Sequence, residues 1–224
     1  MADRSGIFDM IGPVMIGPSS SHTGGVVRIG RVVHRILGEV PKKVTITFYN
    51  SFARTYEGHG SDRAILAGLM DFKTDDERIK EALVMAKESG IDYHFRSIGN
   101  ASTFHPNTVK VLAQGAEEEV EVIGESRGGG VIRIREVNGF DSNFTASAHT
   151  LIFEASDVKG SVAFITNVLS HDDCNIATMT VSRDVKAGRA CLILEMDSSL
   201  REVTLHYLQQ LSWVHKVINI PNID

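Results

Sequence analysis

The sequence predicts an α+β protein of two domains, the second a ferredoxin-like βαββαβ unit. Three observations predict it. Apolar residues at helical spacing alternate with β-branched runs through the first ~140 residues, and glycines stand between them. Asn138-Gly139-Phe140-Asp141-Ser142-Asn143 is then rich in turn formers and marks a change of pattern. The remaining ~75 residues read strand, helix, strand, strand, helix, strand, the order of a ferredoxin-like unit. We place the boundary so that residues 1–147 form one domain and residues 148–224 the other.

The elements follow in order. Phe8, Met10, Ile11, Val14 and Met15 supply an apolar start expected to pack under the loop that follows. A helix from about Gly24 to Leu37 buries Val26, Ile29, Val33, Ile36 and Leu37, sets Arg28, Arg31 and Arg35 on another face, and ends at Gly38. Val44 to Tyr49 is β-branched and aromatic, a strand. Glu57-Gly58-His59-Gly60-Ser61-Asp62 is a polar loop opening a helix with Ile65, Leu66 and Leu69 inside. Thr74-Asp75-Asp76-Glu77 reads as a capping box for a third helix carrying Ile79, Leu83 and Ala86. Tyr93–Ile98 and Val109–Leu112 are strands, the latter entered through the turn His105-Pro106-Asn107-Thr108. Val120–Ile123 and Val131–Arg135 pair around Gly128-Gly129-Gly130. In the second domain, strands at 150–155, 175–182, 190–196 and 214–220 enclose helices at 161–169 and 200–211.

The chemistry concentrates in Gly17-Pro18-Ser19-Ser20-Ser21-His22-Thr23-Gly24-Gly25. Four hydroxyls and an imidazole stand where a helix begins. One hydroxyl suffices to cap the first turn. Free N–H groups and the positive end of the helix dipole there also attract a carboxylate or phosphate. The stretch therefore reads as an oxyanion-binding loop carrying a proton-transfer group. His59 offers a second imidazole at the mouth of the next helix.

Composition narrows the partners. The net charge of −5 gives no basic field for nucleic acid. No apolar run has the length of a membrane span, and the first residues do not lead into a signal-peptide core. Two cysteines, Cys174 and Cys191, in apolar surroundings suggest buried thiols in a reducing cytoplasm. They are too few for an iron–sulfur cluster, which takes about four ligands. Hence any metal centre is expected on another chain, with no metal ligands in this one.

Ser19-Ser20-Ser21-His22-Thr23, then Gly58-His59-Gly60-Ser61-Asp62, then Pro106-Asn107-Thr108, resembles the signature series of the iron–sulfur-dependent L-serine dehydratases. The whole chain is similar to the β subunit of their two-chain bacterial form, whose C-terminus is a regulatory ACT domain. The resemblance implies an N-terminal fold like the allosteric substrate-binding domain of phosphoglycerate dehydrogenase. It also implies a lyase reaction, L-serine to pyruvate and ammonia, with a 4Fe–4S cluster held by a separate α subunit and compatible with a monovalent cation such as potassium. In that reaction iron eases the departure of hydroxide. This chain would add a carboxylate cradle and a proton acceptor. Ser19, Ser20, Ser21, Thr23, Asn107 and Thr108 are the expected substrate contacts. His22 or His59 is the expected base, undecided between them, with His105 a lesser candidate for site contact. In the ACT domain the resemblance points to Asp157, Gly160 and Asn175 as effector residues; Lys159 stands where many members have proline, so a purely dimerising domain is the other reading. Self-association through this domain is expected.

Two other classes compete. A non-enzymatic amino-acid sensor would use the serine loop and the ACT domain to regulate a partner. A serine hydrolase would use Ser21 with His22, but adjacent residues rarely align nucleophile and base, and there is no G-x-S-x-G elbow.

Overall fold

The structure is a computed structural model that describes residues 14–101 and 103–223. It divides into two compact units, parting between Asn138 and Gly139. Phe8, Met10 and Ile11 lie outside the described residues; Val14 is exposed and so does not join a core.

In the first unit, one π-helical turn, Ser20–Gly24, runs directly into helix α1, Gly25–Leu37. Strand β1 (Lys43–Tyr49) leads through a short helix α2 (Asn50–Thr55) into α3 (Ser61–Leu69). A 3₁₀ turn, Glu77–Glu81, precedes α4 (Ala82–Glu88) and strand β2 (Asp92–Ile98). Then come β3 (Thr108–Gln114), β4 (Glu119–Gly128) and β5 (Val131–Val137). Within this unit the strands lie in the order β2-β1-β3-β4-β5. β1 and β2 are parallel, which the helical crossover between them permits, and the other neighbours are antiparallel.

Helix α1 lies over β3, β4 and β5 and beneath α3. It is buried almost all round, so the arginine face expected from its periodicity is an interior one. Arg28 Nη1 donates to Gly130 C=O (2.8 Å), and Arg31 Nε pairs with Asp71 (3.1 Å). Such partners are what allow buried guanidinium groups. The α1–α3 contact is backbone on backbone: a Cβ on Gly68 would stand 2.2 Å from Val27 O. The third helix is capped differently from its expected box. Asp76, not Thr74, accepts the first-turn N–H, from Arg78, while Thr74 Oγ1 donates to Val14 C=O (2.8 Å).

The second unit, Gly139–Ile223, opens with strand β6 (Phe140–Phe144). It continues β7 (His149–Ser156), α5 (Ser161–His171), β8 (Ile176–Arg183), β9 (Arg189–Met196), α6 (Glu202–Gln209) and β10 (Val214–Ile220). The sheet order β10-β7-β9-β8, antiparallel throughout, is the ferredoxin-like arrangement expected. Alternate residues Leu151 and Phe153 on β7 and Leu192, Leu194 and Met196 on β9 meet Ile165, Leu169 and Leu208 of the two helices. β6 packs against β8 and β9, and Glu195 accepts from Thr145 and Thr178. No helix among the described residues is long and apolar enough to cross a membrane.

Candidate active site

The serine run is a helical turn rather than an open loop. Ser19 caps it: its Oγ accepts from His22 N–H (3.2 Å) and its C=O from Thr23 N–H (2.8 Å). The N–H groups of Ser20 and Ser21 precede the first intrahelical donor, Thr23 N–H, and stand at the positive end of the π turn and α1. Ser20 C=O accepts from Gly25 N–H, which joins the turn to α1.

The turn swings the His22 ring into a polar and aromatic niche. Nδ1 lies 3.1 Å from Ser21 Oγ and 3.2 Å from Ser19 Oγ, and the two hydroxyls are 3.2 Å apart. Nε2 lies 3.0 Å from Thr55 Oγ1. The ring packs 5.0 Å from Phe52 and 4.5 Å from His59, centroid to centroid. Burial, and then the neighbouring His59, hold the His22 imidazole below its usual 6.5, which favours the neutral ring.

His59 rides on the turn before α3, which Gly60 enters at φ +72, a conformation that favours glycine. Two contacts bind this turn to the serine turn: Ser61 Oγ donates to His22 C=O (2.8 Å) and Thr23 Oγ1 to His59 C=O (3.3 Å). The His59 side chain itself is exposed, and its ring nitrogens make no hydrogen bond among the described residues.

The Pro106-Asn107-Thr108 turn is tied to the same place through α2. Pro106 C=O accepts from Ser51 N–H (2.9 Å), and Asn50 grips the preceding loop through Ala101 and Phe104. Asn107 C=O accepts from Ser126 N–H, and Ser126 Oγ packs against Gly25 at the start of α1. His105 Nδ1 accepts from Asn107 N–H, and burial, followed by Arg127, lowers its pKa.

Of the expected site residues, the structure thus brings Ser19, Ser21, His22 and His59 together. Thr23 and Thr108 are buried and give their hydroxyl hydrogens to carbonyls, Thr23 to His59 C=O and Thr108 to His105 C=O. Sequence reasoning missed α2 and, with it, Phe52 and Thr55. The Ser51/Thr55 spacing of four, directly before the His59 loop, was the available signal.

The expected effector residues are not brought together within one chain. Asp157 follows the β7 end at Ser156↔Arg189, whereas Asn175 precedes the β8 end that pairs with Met196, opposite His149. The Asp157 carboxylate already accepts from Ala187 N–H and Arg183, which hold its pKa low. Asn175 donates to Asp197 (2.7 Å). Gly160, at φ +87, has open space beside it.

Among the described residues no group of three or more His, Cys, Asp or Glu side chains could hold a metal ion. Cys174 and Cys191 are buried, and burial, then Glu154, pushes the Cys191 thiol up to about 12. This donor set does not fit a cluster.

The lowered His22 value has a consequence for stability. Between it and the ordinary 6.5, the unfolded chain binds more protons than the folded one, so stability rises with pH through that window and is lost as pH falls. His22→Gln is expected to reduce this slope, read as urea midpoints from about pH 5 to about pH 7.5. His105, shifted the same way, retains part of it.

Known proteins resemble this chain over most of its length. Residues 6–137 match the model of a family described as serine dehydratase beta chain. The chain is 42% identical over 217 residues to the probable L-serine dehydratase beta chain of Bacillus subtilis, covering 97% of each. It is 34% identical to the L-serine dehydratase beta chain of Peptoniphilus asaccharolyticus, over 90% of this chain and 91% of that one. Similarity at 26% identity covers 88% of this chain and 37% of the D-3-phosphoglycerate dehydrogenase of Bacillus subtilis, in keeping with the expected two-domain α+β fold. Among solved structures, the ACT domain from the GTP pyrophosphokinase of Chlorobium tepidum matches 33% of this chain and 85% of its own length, at 24% identity and a TM-score of 0.26. By its matched family model and these relatives, the chain belongs to the serine dehydratase beta chain family.

Proposed function

We propose that this chain is the β subunit of an L-serine ammonia-lyase, active with an α subunit in converting L-serine to pyruvate and ammonia. The observation that carries the reading is the convergence of two turns. An exposed His59 stands 4.5 Å from a neutral His22 that Ser19, Ser21 and Thr55 hold at the start of a helix. The N–H groups of that helix start suit the substrate carboxylate. His59 suits the Cα proton, because its ring nitrogens are unengaged and an imidazole exchanges protons near neutral pH. His22, engaged at both nitrogens, orients the turn beside it. The 4Fe–4S cluster, with any assisting monovalent cation, is assigned in this reading to the assembled two-chain enzyme, as the described residues of this chain hold no group of three or more His, Cys, Asp or Glu that could ligate a metal. Association of two copies through the second unit is favoured by Met179 and Val181, exposed on edge strand β8.

Anaerobic purification tests this division of labour. The chain alone is expected to carry no stoichiometric iron or sulfide, and the chain co-purified with its α subunit to carry both. A full complement of iron and sulfide in the chain alone would overturn it.

A further inference from the structure

The two ring nitrogens of His22 face partners that differ in kind. Thr55 Oγ1 donates its single hydrogen to Ser51 C=O (2.8 Å), one turn back in α2. Toward His22 Nε2, 3.0 Å away, it can therefore only accept. Nε2 then carries the hydrogen of the neutral ring, and Nδ1 presents a lone pair. Around that lone pair stand the hydroxyls of Ser21 (3.1 Å) and Ser19 (3.2 Å), themselves 3.2 Å apart. Two hydroxyl hydrogens serve these contacts: one goes to Nδ1 and the other to the neighbouring oxygen. Both are used within the turn. Oxygen lone pairs are what the two serines have left to offer a ligand.

From this we infer that Thr55 is a positioning residue, locking His22 in the Nε2–H tautomer and thereby setting the Ser19–Ser21 pair to accept hydrogen bonds. An acceptor pair suits the ammonium end of an amino acid, while the backbone N–H groups of the same turn suit its carboxylate. The identity of that ligand rests on the function proposed above; the tautomer does not.

Thr55→Val keeps the side-chain shape and removes the acceptor. Nε2–H is then left without a partner, and the tautomer with hydrogen on Nδ1, which can donate to Ser19 or Ser21, becomes the better bonded one. The test is long-range proton–nitrogen correlation NMR of the isotope-labelled chain, at a pH where His22 is neutral. Wild type and Thr55→Ser are expected to show hydrogen on Nε2, and Thr55→Val a shift to Nδ1 or to a mixture. Hydrogen on Nδ1 in the wild type, or an unchanged tautomer in folded Thr55→Val, would overturn the inference. If Thr55→Val does not fold, the wild-type and Thr55→Ser spectra decide. The readout needs neither α subunit nor cluster, so it stands or falls separately from dehydratase activity.

Discussion

His59→Ala in the assembled two-chain enzyme is expected to lower kcat for L-serine by about 10²–10⁴-fold, the range for loss of a positioned general base. The size of the effect follows from the environment of the ring. His22 is engaged at both nitrogens, whereas His59 is exposed and unengaged, so His22 does not stand ready to take its place. Because the side chain is exposed, the substitution should leave the melting temperature of the chain nearly unchanged. Steady-state pyruvate formation separates the alternatives. A kcat within a factor of about three of wild type would assign the proton transfer elsewhere.

The second large effect is on stability. Phe52→Ala is expected to cost the first unit about 3–5 kcal/mol, the usual range for emptying a fully buried aromatic position. Phe52 has no exposed surface, meets Phe48 edge-on at 6.0 Å, and forms the wall against which His22 lies. Urea unfolding of the chain should show the loss in the transition of the first unit, with that of the second unit in place. A loss below about 1 kcal/mol would mean that the niche collapses around the gap, and that His22 does not depend on Phe52 for its place.

The sequence revealed those parts of the fold whose period is long or whose punctuation is strong. Helix α1 carries five apolar residues at helical spacing and a closing Gly38, and the βαββαβ order of the second unit could be read from its strand-like runs and the apolar stripes of its two helices. Helix α2 was hidden because six residues give too little periodicity. Its start is also unusual: Asn50 adopts φ +52, which its short amide side chain tolerates and then uses to grip the loop at Ala101 and Phe104. The buried state of Arg28 and Arg31 was equally out of reach, since Gly130 and Asp71, their partners, are distant in sequence.

The site was legible as a set of residue types but not as a set of roles. Ser19, Ser21, His22 and His59 stood out because one hydroxyl suffices to cap a helix, and further hydroxyls and imidazoles at the same place go beyond that need. Thr23 belonged to the same motif, yet its hydroxyl is consumed by His59 C=O, a contact only the folded pair of turns creates. Neither motif chose between the two histidines, which in the structure differ in burial and in hydrogen-bond partners.

The most direct test of the central reading is L-serine-dependent pyruvate formation on anaerobic mixing of this chain with a cluster-loaded α subunit. Neither chain alone is expected to form pyruvate, and activity is expected to appear on mixing. Turnover by the α subunit at one rate with and without this chain would contradict it.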